Sequence, residues 1–119
     1  MNDSSGSVPH APKHFYVDHA AYFITAATFQ RQPILTDSVK ACLRDALHNV
    51  FGTYQWSVEH WVILDDHYHL MARSHRGQDL NLIMRKVHHR VAREVNVAHP
   101  PARRGSRQVW HNYWDYCPR

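Results

Sequence analysis

The chain has 119 residues, enough for one small domain with a modest core and too few for two. Its charged fraction of 20% and hydrophobic fraction of 44% fit a folded globule. No apolar run is long enough to span a bilayer, and no leader with a basic start and an apolar middle is visible, so no membrane association is expected. Two widely spaced cysteines, Cys42 and Cys117, read as free thiols of a reducing compartment, and a cytoplasmic location follows as the expectation.

In chain order, the Ser, Gly, Pro and Asn rich start predicts a flexible tail over residues 1–14, with a single domain from 15 to 119. Residues 21–28 (AYFITAAT) alternate as a strand, and 29–35, with Pro33, read as a loop. A helix should follow with Thr36 as N-cap and Asp37 in its first turn, where a carboxylate suits the helix dipole. Val39, Leu43, Ala46, Leu47, Val50 and Phe51 give it an apolar stripe, and Gly52 is expected to stop it.

Residues 56–73 (WSVEHWVILDDHYHLMAR) alternate bulky and polar side chains on both sides of an acidic kink. This predicts two antiparallel strands, about 55–63 and 67–72, joined by a turn at Leu64, Asp65 and Asp66. A second helix over about 79–96 carries the stripe Leu80, Ile83, Met84, Val87, Val91 and Val95, with Arg85, Lys86, His89, Arg90 and Arg93 largely off it. Residues 97–108 read as a loop, and 109–117 (VWHNYWDYC) as a strand-like aromatic segment. The order strand, helix, strand, strand, helix, strand predicts an α+β ferredoxin-like (RRM-like) sandwich, a mainly antiparallel sheet with helices on one face.

The formal net charge of +4 is unevenly spread. Between Arg73 and Arg107 nine Lys or Arg residues face only two acids, Asp79 and Glu94. Such a field attracts a polyanion, and DNA, RNA or an acidic membrane would all serve; a merely soluble basic surface is the plain alternative.

Strand side chains alternate faces, so His67, His69 and Met71 share one side of the second hairpin strand and Tyr68 faces away as a core candidate. Two imidazoles side by side supply half of a divalent-metal site. A bare His-x-His is weak evidence among twelve histidines, although Asp65 and Asp66 stand where they can anchor a ring N–H or gather cation charge. His60 on the neighbouring strand could serve as ligand, partner or plain surface, and His88 and His89 read as surface or phosphate contacts. No phosphate loop, serine elbow or cysteine-histidine pattern is present. Of six tyrosines, Tyr113 and Tyr116 are the two worth weighing chemically, each more often an aromatic plug than a nucleophile.

The run Trp61-Val62-Ile63-Leu64-Asp65-Asp66-His67-Tyr68-His69-Leu70-Met71 resembles the central strands of the HUH single-strand DNA endonucleases, in particular single-tyrosine transposases and the REP-associated tyrosine transposases. Asp65 and Asp66 stand where Pro and Asn are common in that family. Residues 80–96 resemble its basic helix, and 109–119 its following aromatic segment, so the likeness runs from Tyr22 to Arg119. The resemblance implies a frequently dimeric ferredoxin-like fold in which His67 and His69 hold Mg2+ or Mn2+ on the scissile phosphate. It also implies a tyrosine that attacks phosphorus to leave a 5'-phosphotyrosyl DNA and a free 3' hydroxyl. In the family that tyrosine and another polar ligand lie on a further helix, so the nucleophile is expected beyond residue 119 and the role is not transferred to Tyr113 or Tyr116.

The leading expectation is therefore a transposase-type single-strand endonuclease and ligase acting on hairpin-forming single-stranded DNA as a homodimer. Arg85, Lys86, Arg90 and Arg93 would contact backbone phosphates, joined by Arg103, Arg104 and Arg107 from the loop. The rival is a non-catalytic single-stranded nucleic-acid-binding module using its sheet and aromatics, Trp110 and Trp114 included. A domain that binds only protein is the third reading.

Overall fold

The computed structural model describes residues 16–100 and 108–118. The flexible tail expected over 1–14 and the loop arginines Arg103, Arg104 and Arg107 lie outside the described residues. Strand β1 (Ala21–Thr28), helix α1 (Asp37–Thr53), strands β2 (Ser57–Ile63) and β3 (His67–Arg73), helix α2 (Leu80–Ala98) and strand β4 (Trp110–Tyr116) follow in the expected order. Single 3-10 turns at Phe29–Arg31 and Gly77–Asp79 complete the fold. The sheet order is β2-β3-β1-β4, antiparallel at every pairing, with both helices on one face. That is the ferredoxin-like α+β sandwich the element order predicts.

Alternation along the strands divides the molecule. Tyr22, Ile24 and Ala26 of β1 and Tyr68, Leu70 and Ala72 of β3 are buried under the helices. The α1 stripe of Val39, Leu43, Ala46, Leu47, Val50 and Phe51 and the α2 stripe of Leu80, Ile83, Met84, Val87, Val91 and Val95 complete one core. Both stripes are those the 3.6-residue period picks out. The other face of the sheet is uncovered by any described element.

Two β-bulges decide which side chains reach that open face. One extra residue in β2, between Val58 and His60, lets Val58 pair with buried Ala72 while His60 pairs with outward-facing Met71. An extra residue in β4 lets Trp110 and Tyr113 both pack against the core, while Trp114 and Tyr116 point outward.

Helix α1 does not stop at Gly52 as expected. It runs to Thr53 and ends on Gln55, whose φ of 64° places it in the left-handed region. The Trp56 N–H donates to Phe51 O at 2.9 Å and the Gln55 N–H to Gly52 O at 2.9 Å, the paired bonds of a Schellman ending with Gln55 in the place glycine usually takes. The remaining boundary differences are small: β2 begins at Ser57 rather than 55, and α2 spans 80–98 rather than 79–96. Thr36 occupies the N-cap of α1 without a side-chain capping bond. Cys42 and Cys117 are free thiols, and among the described residues no helix is long and apolar enough to cross a membrane.

Candidate metal centre on the open sheet face

The hairpin turn before β3 is pinned to the end of β1. Thr28, itself buried, donates its N–H to Asp66 O at 2.9 Å and its hydroxyl to Gln32 O at 2.8 Å. Leu64 donates to His67 O at 2.8 Å, and Leu35 to Asp65 O at 3.0 Å. Lys40 of α1 reaches Asp65 Oδ1 at 2.7 Å. The acidic kink is thus fastened on three sides, and it delivers His67 as the first residue of β3.

His67 and His69 share the open face, their ring centroids 5.0 Å apart and nearly perpendicular. His67 Nδ1 lies 2.7 Å from Asp66 Oδ1, and the other carboxylate oxygen accepts from Arg31 Nε at 3.3 Å. Arg31 Nη2 also stands 3.3 Å from His67 Nδ1. A guanidinium only donates, so the shorter carboxylate contact decides the pairing and the ring proton belongs on Nδ1. The bond to His67 and the Arg31 charge hold the Asp66 carboxyl below the usual carboxylate range. His69 Nδ1 lies 2.9 Å from the Thr25 hydroxyl, its directly opposed partner on β1.

Each ring is engaged through Nδ1: the Asp66 carboxylate, which only accepts, leaves the Nε2 lone pair of His67 for a cation, and the Thr25 hydroxyl leaves that of His69 when it accepts from Nδ1, the arrangement metal-bound histidines favour. By donor type the pair could supply two ligands of a divalent site. Among the described residues no group of three His, Cys, Asp or Glu side chains forms a cluster able to hold a metal. His60 comes near: it lies on the same face and lines with His69, Phe23, Thr25, Val62 and Met71 a shallow groove of about 580 Å³. It stands one row away, opposite Met71 rather than His69.

The tyrosines sort by face. Tyr68 is fully buried, as its position in the alternation requires. Tyr113 turns to the helix side, where it bonds Asn81 at the start of α2, so the sheet separates it from the histidines. Tyr116 is 65% exposed on the open face, but it pairs with Phe23 on the outer edge of the sheet, with β1 between it and β3. None of these three stands beside the histidine pair.

Outward aromatics extend the open face. Phe23, Trp114 and Tyr116 are each about half exposed or more, and with Thr25 and Asp115 they line a second groove of about 310 Å³ beside the first. Trp110 is not among them. It packs inward, stacked on His88 at 4.1 Å with an interplanar angle of 9°.

His88 is thus half-buried and engaged inward rather than a free surface residue. Its Nε2 accepts from the Tyr68 hydroxyl at 2.7 Å, and burial pushes its pKa down to about 3. Arg85, Lys86, His89, Arg90 and Arg93 are exposed on α2 as expected, with Lys86 Nζ 5.3 Å from the Tyr54 ring centroid. They lie on the helix layer, across the sheet from His67 and His69. Thr25 and Arg31 were not singled out in the sequence; only the pairing of β1 with β3 places them at the histidines.

The profile of the family described as "Transposase IS200 like" matches residues 16–117. No curated protein matches the chain. Among solved structures, a REP-associated tyrosine transposase bound to a REP hairpin superposes with a TM-score of 0.67 at 19% identity, covering 93% of this chain and 63% of that one. A protein of Deinococcus radiodurans R1 described as a candidate transposase superposes with a TM-score of 0.65 at 20% identity, covering 90% and 85% respectively. This chain thus spans less than two thirds of the hairpin-bound relative. The fold is shared with both structures, and with its profile matched over nearly all of the described residues, the chain belongs to the IS200-like transposase family.

Proposed function

We propose that these residues form the DNA-binding and metal-holding part of a transposase-type single-strand endonuclease and ligase. The observation that carries the reading is the pair of neighbouring imidazoles on the open sheet face, each tied through Nδ1 and free at Nε2. His67 and His69 would hold Mg2+ or Mn2+, which when bound polarises a phosphoryl oxygen and favours departure of the 3' oxygen. A tyrosine oxygen attacks the phosphorus: one P–O bond forms to the protein, the P–O3' bond breaks, and the freed 3' oxygen takes up a proton. Rejoining reverses the exchange with another 3' end, so no energy-supplying cofactor enters.

The substrate is single-stranded DNA with a hairpin-forming end, a reading supported by the fold shared with a hairpin-bound relative. Exposed Phe23, Trp114 and Tyr116 offer planar surfaces for unpaired bases. Arg85, Lys86, Arg90 and Arg93, with Arg103, Arg104 and Arg107, contribute phosphate contacts. The protein acts as a homodimer, which its mass in solution checks directly.

The second reading is a non-catalytic single-strand binding module, favoured by that same aromatic surface. A titration of Mn2+ separates the two. The transposase reading expects Mn2+ binding that His67→Ala abolishes, and, wherever the nucleophilic tyrosine is present, a covalent protein adduct on a labelled hairpin strand that a chelator prevents. DNA binding in the absence of any Mn2+ affinity would leave only the binding module.

A further inference from the structure

The two histidines are held by chemically different anchors that arrive from different places in the chain. His69 meets the hydroxyl of Thr25 at 2.9 Å across the β1–β3 pairing. His67 meets its sequence neighbour Asp66 at 2.7 Å, and Asp66 is itself fixed twice, by Arg31 at its second oxygen and by Thr28 at its backbone carbonyl. Arg31 reaches this point because the 3-10 turn after β1 places Gln30 and Arg31 at φ of 56° and 53°. Two successive non-glycine residues in the left-handed region are sterically unfavourable and persist only where their surroundings impose them. Here the turn brings the guanidinium back over the acidic kink.

A neutral imidazole carries one ring proton, and a nitrogen facing an acceptor keeps it; the ionised Asp66 carboxylate only accepts, whereas the Thr25 hydroxyl can accept or donate. The other nitrogen then presents its lone pair, in a ring whose rotation is restrained by the same bond. We propose that Thr25 and Asp66 are the positioning residues of this site, each holding one imidazole through Nδ1 so that both Nε2 atoms are left to one divalent cation. Arg31 braces Asp66. The proposal rests on His67 and His69 being the ligands and deepens that reading by naming what orients them; Thr25 and Asp66 themselves touch no metal.

The test uses the full chain without metal and then with Mn2+. Nitrogen-15 imidazole spectra, recorded where both rings are neutral, should show the proton on Nδ1 of His67 and of His69. Thr25→Val should release that preference at His69 alone, and Asp66→Ala at His67 alone. In calorimetric titrations each of these variants should bind Mn2+ about 10–100-fold more weakly. Thr25→Ser retains the hydroxyl and should stay near the parent affinity, whereas Asp66→Asn, whose amide can donate to Nδ1 and no longer pairs with Arg31 as a charge, should weaken binding as Asp66→Ala does, with thermal melts checking that every variant folds. Protons found on Nε2 in the parent, or equal Mn2+ affinity in folded Thr25→Val and Asp66→Ala, would overturn the proposal while leaving the ligands in place. A parent chain without Mn2+ affinity would instead remove the metal reading itself, and the metal-free spectra would still decide whether Thr25 and Asp66 orient the rings.

Discussion

Single residues at the end of α1 show how local strain and fold interact. Glycine stands at position 52, inside the helix, where an added Cβ meets nothing within 4 Å. Three residues later, at the position that needs a left-handed backbone, stands Gln55. The two choices are the reverse of what helix energetics favours. Gly52→Ala should stabilise the fold by about 1 kcal/mol through lower helix entropy loss, and Gln55→Gly should add about 1 kcal/mol by relieving the strained φ. Urea unfolding of the single and double variants checks both; a Gln55→Gly variant no firmer than the parent would show that Gln55 is not strained. Gly77 behaves oppositely. A Cβ there would lie 2.5 Å from Val17 N and 2.6 Å from Val17 O, backbone atoms that cannot swing aside. Gly77→Ala should therefore destabilise by about 1–3 kcal/mol, visible as a lowered unfolding midpoint.

At the level of elements, buried Tyr68 and half-buried His88 and Trp110 join β3, α2 and β4. His88 must be neutral to accept from Tyr68, and its pKa is displaced from 6.5 to about 3. Burial pushes the Tyr68 phenol upward, so it stays protonated and keeps donating. Because the folded state binds His88's proton less well than the unfolded state, the stabilisation is fully present above about 6.5 and is lost as pH falls towards 3. The loss is on the order of a few kcal/mol. His88→Gln retains an acceptor without the titration and should flatten that acid limb relative to the parent. Urea midpoints at neutral and acid pH measure it, and parallel losses in both proteins would remove His88 as the cause. This cluster also marks where sequence reading stops. The helical stripes and the β1 alternation were legible because burial follows a period of 3.6 or 2 along the chain itself. His88 sits beside cations on its helix and looks like surface, and only Tyr68 and Trp110, distant in sequence, draw it partly inward. The β4 bulge likewise sends Trp110 inward and Trp114 outward, although a strict two-residue period would put them on one face. His67 and His69 were legible from their own strand, whereas Thr25 and Arg31 depend on strand register across some forty residues.

The whole molecule has two faces of different chemistry separated by the sheet. The open side presents the histidines, Phe23, Trp114 and Tyr116, and the helix side presents Arg85, Lys86, Arg90 and Arg93. A single strand that only crossed the open face would meet aromatic rings and few cations, and its affinity would respond weakly to salt. A nucleic acid that also wraps an edge of the sandwich to reach α2 would release counterions from that helix. Each phosphate contact on a single strand contributes roughly 0.7 to the slope of log affinity against log salt. Arg90→Ala with Arg93→Ala should therefore lower the slope by about 1.4 and weaken binding similarly for unrelated sequences. Trp114→Ala should instead cost about 1–3 kcal/mol of affinity for each base that stacks there, with the slope unchanged. Titrations of a labelled hairpin strand at several salt concentrations separate the two faces. If the arginine pair leaves both affinity and slope intact while Trp114→Ala weakens binding, DNA stays on the open face and the basic surface of α2 serves something else. If the slope falls as stated, the DNA path runs around the edge to the helix layer.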